Sequence, residues 1–384
     1  MHNLKAVLLS QRNLPALDGL RGLAIIAVMF THCPPYDFLP SIVRIGFGLG
    51  WSGVDLFFVL SGFLITGILI DSRDAKNYYQ SFYCRRLLRI FPLYYTFLMV
   101  ALVLFPHVVR TDWMPLRSDY WLYVCYLMNW QQLWHEPWHA NVLGHFWTLC
   151  VEEQFYIVWP IVVFALRPRL LLWALIGMDL TMLCGRCWWI WNHGASILLT
   201  TLPITRMDGL LFGAACAIVI REFLLSKWRT AFLWVGALLL VTFASLFHVC
   251  AHSVRESFIE SVGFAFLGAG FAAILLNAAL TDSDKTFVQT WLRWKPLTLF
   301  GKYSYGIYVL HVPIFYFIDR LATWLPSDIR DSHWLQSISI PVRIAVSFGA
   351  AAISYTFFEK RFLRFKSHFE PEYPNIVPVV GQTS

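Results

Sequence analysis

The chain has 384 residues, of which 58% are hydrophobic and 14% are charged, and its formal net charge is +7. A soluble domain carries about 45–50% apolar and about 25% charged residues, so this composition excludes an ordinary soluble protein. The basic residues lie between apolar blocks, which is the pattern that sets membrane topology rather than nucleic-acid binding. The 18 Trp and 16 Tyr suit aromatic belts at the two membrane interfaces.

Apolar blocks of about 20 residues recur along the chain, and that length crosses a hydrocarbon core of about 30 Å. Backbone polar groups must be satisfied inside lipid, so the blocks predict helices. We predict an all-α polytopic membrane helix bundle with about ten transmembrane helices, near residues 16–33, 50–70, 88–106, 145–166, 170–190, 204–220, 231–249, 258–277, 299–318 and 338–358. The apolar segment 119–130 is too short to cross and predicts an interfacial or re-entrant piece.

The distribution of Lys and Arg supports this count. With both termini in the cytoplasm, 20 of the 30 basic residues lie on the inner side and 6 in outer loops. If 119–130 crossed as an eleventh helix, the basic loops that follow would turn outward. We therefore expect a multi-pass protein of the inner (plasma) membrane. No cleavable signal peptide is expected, because the first apolar block contains Asp18, Arg21 and His32.

Neither a repeat nor a linker divides the chain. We predict one transmembrane domain over residues 1–365 and a short cytoplasmic tail over 366–384, too short for a soluble catalytic domain. Cys184 and Cys187 form a C-x-x-C without a second ligand pair, so we expect no metal site. Gly209 and Gly213 form a G-x-x-x-G that would pair helices within the chain or between chains.

Charged groups inside the first span point to a polar path. Arg21 and His32 are eleven residues apart, which places them on one helix face about 16 Å apart. The first span runs outward, so Arg21 lies near the inner side and His32 near the outer side. The structural alternative is an i,i+3 pair between Asp18 and Arg21, with His32 at the helix end.

Other spans contribute ionisable groups at mid-to-outer depth, namely Asp55, Glu152, Arg206 and His311. Because they come from separate helices, they predict a buried polar site rather than scattered interfacial anchors. Two structural alternatives remain: Asp55 would pair with Arg44, and Arg206 with Asp208.

The inner loop carries a different signal in the segment FYCRRLLRIFP. Arg86 and Arg89 lie on one helix face there, beside Arg85. Guanidinium groups bind phosphates bidentately. Ordinary topology charge that attracts anionic lipid would explain the same residues.

Six blocks of the chain resemble, in order, the acyltransferase 3 family of integral-membrane O-acyltransferases. They read LPALDGLRGLAIIAVMFTH, GVDLFFVLSGFLIT, FYCRRLLRIFPLYY, GHFWTLCVEEQFYIVWP, RMDGLLFGAACA and KYSYGIYVLHVPI, and the resemblance covers about residues 15–365. Six ordered blocks are more specific than any single motif.

The resemblance implies a ten-helix enzyme that takes an acyl group, commonly acetyl, from cytoplasmic acyl-coenzyme A. The acceptor it implies is a hydroxyl, typically of a carbohydrate or glycolipid. His32 then corresponds to the family's essential histidine and Arg21 to its paired arginine. Arg86 and Arg89 correspond to its Arg-x-x-Arg, and Glu152 to the glutamate after Trp-x-Leu. Acyl-coenzyme A would be a co-substrate, with no bound cofactor, and the fused C-terminal hydrolase-like domain of some members is not expected here.

A mechanism follows as a hypothesis. His32 takes the acceptor proton, and Asp55 or Glu152 orients its ring. Arg206 or Tyr308 stabilises the oxyanion. Arg21, Arg86 and Arg89 hold the coenzyme phosphates, and His311, in the last family block, is predicted to be a further catalytic residue. Direct transfer and an acyl-histidine intermediate both stay open.

The alternative function class is a proton-coupled secondary transporter, because intramembrane His, Asp and Glu also serve proton relays. Such transporters often show inverted repeats and broken helices, and the sequence has neither. The acceptor is not identified. Outer-loop tryptophans would either stack on sugars or form an interfacial belt, namely Trp113, Trp121, Trp130, Trp134, Trp138, Trp324 and Trp334.

Overall fold

The computed structural model describes residues 14–33, 39–107, 109, 114–133, 141–223, 225–250, 252–281 and 286–373. Every regular element in these ranges is a helix, so the predicted all-α class is confirmed. Among the outer-loop tryptophans, Trp113, Trp134 and Trp138 lie outside the described residues.

Ten helices of 15 residues or more lie in the described ranges, and each overlaps one of the ten predicted segments, although several begin or end outside the predicted bounds. They are α1 (Pro15–Thr31), α2 (Gly53–Asp71), α3 (Tyr78–Leu104), α4 (Trp147–Ala165), α5 (Pro168–His193), α6 (Asp208–Glu222), α7 (Arg229–Val249), α8 (Phe264–Leu280), α9 (Lys295–Ala322) and α10 (His333–Ser354).

Short elements connect these helices. The short α-helices are Ser41–Gly48, Tyr120–Val124, Ile197–Thr201, Pro203–Arg206, His252–Phe258, Phe287–Leu292, Ser327–Arg330 and Lys360–Leu363. The 3-10 turns are Gly50–Ser52, Phe105–His107, Arg117–Asp119, Met128–Leu133, Gly144–Phe146, Ser226–Trp228 and Arg364–Phe369. Two π-helical turns, Ile259–Gly263 and Tyr355–Glu359, adjoin α8 and α10.

Seven helical stretches of the described chain are long and apolar enough to cross a membrane, so the protein is a multi-pass membrane protein. The other three long helices are α1, α6 and α9. Helices α1 and α6 have 17 and 15 residues, and α9 has 28 but is less apolar. The count of ten crossings and the cytoplasmic termini therefore remain predictions.

Segment 119–130 does not form a spanning helix. Its only α-helical part is Tyr120–Val124, five residues long, followed by the 3-10 turn Met128–Leu133. The expectation of a non-crossing piece agrees with this geometry, because five helical residues rise only about 8 Å.

The centre of the bundle is formed by α1, α2, α6 and α9, which pack closely in pairs. Gly213 in α6 lies against α2, where an added Cβ would overlap the carbonyl oxygen of Val59. Gly62 in α2 lies in the same way against the carbonyl of Leu210. The G-x-x-x-G motif therefore pairs helices within the chain, since Gly209 also packs against α2 at Phe58.

Buried arginines inside the bundle are paired with aspartates. Both oxygens of Asp208 accept from Arg186, at 2.7 and 2.6 Å, and neither side chain is exposed. The alternative pairing of Arg206 with Asp208 is therefore wrong. Arg343 in α10 pairs with Asp319 near the end of α9. Each buried guanidinium thus faces a carboxylate, as the cost of burying a lone charge requires.

Candidate active site

Three histidine rings meet where α1, α4 and α9 come together. His32 follows the last residue of α1, His311 lies inside α9, and His145 lies in the 3-10 turn that leads into α4. The ring centroids of His32 and His311 are 4.8 Å apart, and those of His145 and His311 are 5.1 Å apart. We call these three residues the histidine cluster.

The hydrogen bonds of the cluster determine which ring nitrogens carry hydrogen. His32 Nδ1 lies 2.8 Å from the carbonyl oxygen of Val28, and His311 Nδ1 lies 2.8 Å from that of Tyr308. A carbonyl only accepts, so both Nδ1 atoms are donors. His311 Nε2 then carries a lone pair in the neutral ring, and it faces His32 Nδ1 at 3.3 Å.

His32 is left with a free lone pair on Nε2, which is the arrangement a general base needs. Its ring is exposed, whereas His311 is fully buried. The alternative in which His32 only ends a helix is geometrically present, since Nδ1 does bond the last turn. That bond and the contact with His311 together fix the orientation of the ring, which is also what a general base requires.

His145 is the residue that sequence reasoning missed. It is 7% exposed, and neither ring nitrogen has a hydrogen-bond partner in the described part of the chain. Buried polar groups are usually paired, so an orphan imidazole inside a cluster is a functional candidate. Its position in the family-like block GHFWTLCVEEQFYIVWP was the available signal. His145 lies where a predicted span begins, and a histidine at such a position is normally interpreted as an interfacial residue.

A cavity of about 100 Å³ brings together the three arginines predicted to bind the donor. Arg21, Arg86 and Arg89 all line this arginine cavity. Arg21 also pairs with Asp18 at 3.2 Å, so the i,i+3 pair forms, yet its side chain still reaches the cavity. The guanidinium of Arg86 lies 5.4 Å from the ring centre of Tyr156.

Two hydroxyl groups in the wall of the arginine cavity adjoin the histidine cluster. Thr148 and Tyr308 line it, and their oxygens are 2.5 Å apart. The Tyr308 hydroxyl donates to the carbonyl oxygen of His145 at 2.7 Å. Tyr308 precedes His311 by less than one helical turn, so the wall of the cavity is also the wall of the cluster.

Glu152 lies in the arginine cavity rather than beside His32. It lines that cavity together with Glu153, Ser61 and Tyr156. The expected contact between Glu152 and the His32 ring is not formed, because α4 turns this side chain toward the guanidinium groups. The ring that touches His32 is His311.

Asp55 and Arg206 form a buried pair of their own. Arg206 donates to both oxygens of Asp55, at 2.6 and 3.0 Å, and its guanidinium lies 3.8 Å from the ring centre of Phe264. The structure therefore revises two expected roles. Asp55 does not orient His32, because both its oxygens are bound to Arg206. Arg206, expected to stabilise the oxyanion, is instead bound to Asp55 and packed against aromatic rings. Because both oxygens of Asp55 bind Arg206, the alternative pair of Asp55 with Arg44 is also wrong.

Tyr308, the other residue expected to stabilise the oxyanion, lies beside the histidine cluster. Its hydroxyl hydrogen is already donated to the carbonyl oxygen of His145. To stabilise an oxyanion it would have to exchange that bond. In the described ranges, no group of three His, Cys, Asp or Glu side chains is placed to hold a metal ion.

Comparisons with known proteins identify the family of this chain. The chain matches the family model of the acyltransferase domain over residues 14–359. It is 29% identical over 368 residues to YrhL of Bacillus subtilis (strain 168), covering 91% of this chain and 55% of that protein. No solved structure matches the chain.

Two further relatives carry informative names. The peptidoglycan O-acetyltransferase OatA of Listeria monocytogenes (serovar 1/2a) is 28% identical over 384 residues, covering 91% of this chain and 56% of that protein. The O-acetyltransferase OatA of Staphylococcus aureus (strain NCTC 8325) is 28% identical over 377 residues, covering 91% and 57%. The chain spans a little over half the length of these relatives. Because the family model covers most of the chain, this multi-pass membrane protein belongs to the acyltransferase 3 family.

Proposed function

We propose that the protein is a membrane-embedded O-acyltransferase that moves an acetyl group from cytoplasmic acyl-coenzyme A to a carbohydrate hydroxyl at the outer side of the plasma membrane. One observation carries the proposal. A single cavity is lined by Arg21, Arg86 and Arg89 and also by Thr148 and Tyr308, and Tyr308 contacts His145 of the histidine cluster. A donor bound in this cavity would lie next to the proposed base. The names of the relatives support a cell-wall glycan or related glycoconjugate as acceptor.

The positive charge of the arginine cavity supports the proposed donor site. Three guanidinium groups around one cavity suit the phosphates of a coenzyme, because each guanidinium offers a planar pair of donors. Glu152 on the same wall would position these arginines, and the acyl end would extend toward Thr148 and Tyr308.

The reaction end rests on His32. Its Nε2 takes the proton of the acceptor hydroxyl while the hydroxyl oxygen attacks the thioester carbon. The carbon–oxygen bond forms, the carbon–sulfur bond breaks, and the proton then passes from His32 to the departing thiolate. His311 holds the ring through the shared Nδ1 hydrogen. The buried hydroxyl of Tyr308 and the orphan imidazole of His145 lie beside the reacting centre.

The test is acetyl transfer by the purified full chain in detergent or lipid discs, with acetyl-coenzyme A and a panel of glycan acceptors. We expect His32→Ala to lower turnover by a factor of about 100 to 10,000, the range of one general base. Arg89→Ala should instead raise the apparent KM for the donor. Release of free coenzyme A and O-acetylated product are measured together.

His193→Ala is the matched control, because His193 is an exposed histidine at the end of α5. It should leave both rates unchanged. Full activity of a folded His32→Ala protein would remove His32 as the base. An unchanged donor KM in Arg89→Ala would remove the donor assignment while leaving the transferase reaction in place.

A further inference from the structure

A second cavity, of about 280 Å³, opens beside the arginine cavity at the inner end of α2 and α3. Four basic side chains line it: Arg85, Arg86 and Arg89 from α3, and Lys366 from the 3-10 turn after α10. We call it the tail cavity. In the described part of the chain, none of these four cations is within ion-pair distance of a carboxylate.

The charge of the tail cavity is not balanced from within. Its one lining carboxylate among the described residues is Asp71, and both oxygens of Asp71 accept from Arg221, at 2.9 and 2.7 Å. A neighbouring cavity of about 450 Å³ is lined by Arg21, Arg89 and Lys302, but also by Asp18 and Glu359. Arg86 and Arg89 also line neighbouring cavities that hold Glu152 and Glu359, whereas of these three cavities Arg85 and Lys366 line only the tail cavity. Arg85 and Lys366 are therefore the cations whose repulsion a bound anion would relieve.

The wall of the tail cavity is closed by the segment that follows the last long helix. Asn77 donates to the carbonyl of Glu370 at 2.9 Å and accepts from the backbone of Glu372 at 2.8 Å. Ser81 donates to the carbonyl of Phe369 at 2.8 Å. The Lys76 backbone donates to Glu372 at 2.8 Å. These bonds hold residues 369–373 across the start of α3, so Lys366 is placed by the tail rather than by the bundle.

We propose that the tail cavity binds the phosphate at the nucleotide end of the donor, and that Lys366 with Arg85 contacts the 3′-phosphate of coenzyme A. The inference rests on the proposed function and extends it. Arg86 and Arg89 line both cavities, so they are placed to hold the diphosphate between the nucleotide and the acyl arm. Residues 366–373 thereby become part of the donor site.

The positions along α2 fit one extended ligand. The tail cavity touches α2 at Ile68 and Asp71, and the arginine cavity touches it at Ser61, Phe57 and Val54. Seven residues from Ser61 to Ile68 rise about 10 Å. A donor with its nucleotide in the tail cavity would therefore run up α2, with its thioester toward Tyr308.

The decisive experiment measures binding of coenzyme A and of 3′-dephospho-coenzyme A to the full chain in lipid discs. Wild type, Lys366→Gln and Arg364→Gln are compared. We expect each of the two charge-assisted contacts to contribute about tenfold to the preference of wild type for coenzyme A. Lys366→Gln should therefore reduce this preference by about tenfold, because Arg85 is left as its only contact. Arg364→Gln, an exposed cation in the same turn that does not line the cavity, should keep it.

An equal preference in wild type and Lys366→Gln would overturn the inference while leaving the proposed acyl transfer intact. Discs with and without phosphatidylglycerol separate the two sources of phosphate. If the anionic lipid weakens coenzyme A binding in wild type but not in Lys366→Gln, and neither protein discriminates the 3′-phosphate, the cavity holds a lipid headgroup. If wild type binds no coenzyme A yet transfers acetyl from another donor, the donor assignment fails as well.

Trypsin cleavage tests separately whether the tail closes the donor site. Trypsin cleavage within the basic stretch from Lys360 to Lys366 should slow when coenzyme A is bound to wild type. Asn77→Ala removes the side chain that bonds Glu370 and Glu372 and should speed the cleavage and reduce the protection by coenzyme A. Gln80→Ala, at an exposed position of the same helix start, is the control. Cleavage in wild type that is indifferent to coenzyme A would contradict a closing role.

Discussion

At the residue scale, the two histidines that touch differ as hydrogen-bond donors and acceptors because of where their hydrogens are. His311 is buried and must act as an acceptor at Nε2, since its Nδ1 hydrogen is used by Tyr308. His32 is exposed and has Nε2 free. One imidazole therefore orients the other, in place of the carboxylate that orients histidine in many acyl-transfer sites.

Substitution of His311 tests this assignment. We expect His311→Leu to lower kcat by about 10- to 100-fold with little effect on the donor KM, because it removes an orienting acceptor and no donor contact. His311→Gln offers an amide oxygen as acceptor and should recover part of kcat. The measurement is steady-state acetyl transfer by both variants.

A purely structural role for His311 predicts a different pattern. Both variants would then lose folded protein in parallel with activity, and the amide would give no recovery. Thermal unfolding in detergent, measured on the same samples, distinguishes the two outcomes.

The Asp55–Arg206 pair shows that an intramembrane charge is not by itself a catalytic group. Both side chains are essentially unexposed, and the geometry is bidentate. Removing one partner would leave an uncompensated buried charge, which costs about 3–5 kcal/mol. The stability of this buried pair is therefore enough to explain the two residues, without contact to the histidine cluster.

At the element scale, close approach of α2 and α6 sets the outer wall of the arginine cavity. Val54, Phe57 and Ser61 on α2 line the cavity, while the opposite side of the same helix receives Gly213. A side chain larger than hydrogen at Gly213 would push the two helices apart, because it meets backbone that cannot rotate away.

We expect Gly213→Ala to lower the yield and the unfolding temperature of the protein and to weaken acetyl transfer. The reason is overlap with the carbonyl of Val59. Gly177→Ala is the control, because nothing lies within 4 Å of a Cβ there and alanine is the better helix former. Thermal unfolding of the two variants in one detergent is the measurement. Equal stability would mean that α2 and α6 can separate without cost.

At the scale of the whole molecule, the helices that fall short of a spanning profile are those at the centre. Helices α1 and α9 carry Arg21, Tyr308 and His311 and pack on each other through Gly301. By contrast, the spanning window of α7 is only 11% buried. Lipid-facing helices must be apolar throughout, whereas a central helix meets protein and tolerates polar groups.

Epitope insertions test whether these central helices cross. Between Asp74 and Lys227 the ten-helix arrangement has four crossings, α3 to α6, so both sites would lie on one side. Without α6 they would lie on opposite sides. Between Lys227 and Asp328 the crossings are α7, α8 and α9, which places Asp328 on the other side. Labelling of the epitopes in intact and in permeabilised cells shows on which side of the membrane each of the three positions lies.

The amino-acid sequence by itself determined the all-helical class, the ten helical segments and the family, because apolar blocks of membrane length and ordered motifs are local properties. It also placed Arg21 and His32 on one helix, since that follows from the helical repeat alone. The expectation that Arg21, Arg86 and Arg89 share a site agrees with the cavity they line.

Only the tertiary structure decided which polar groups meet. The rotation of α4 about its axis directs Glu152 toward the arginines, and the turn before α4 places His145 beside His311. The packing of α2 places Asp55 against Arg206. The segment after the last long helix folds back against the start of α3, which places Lys366 beside the α3 arginines. Depth in the membrane can be counted along a sequence, but the direction in which a side chain points depends on how neighbouring helices pack, and that is a property of distant parts of the chain.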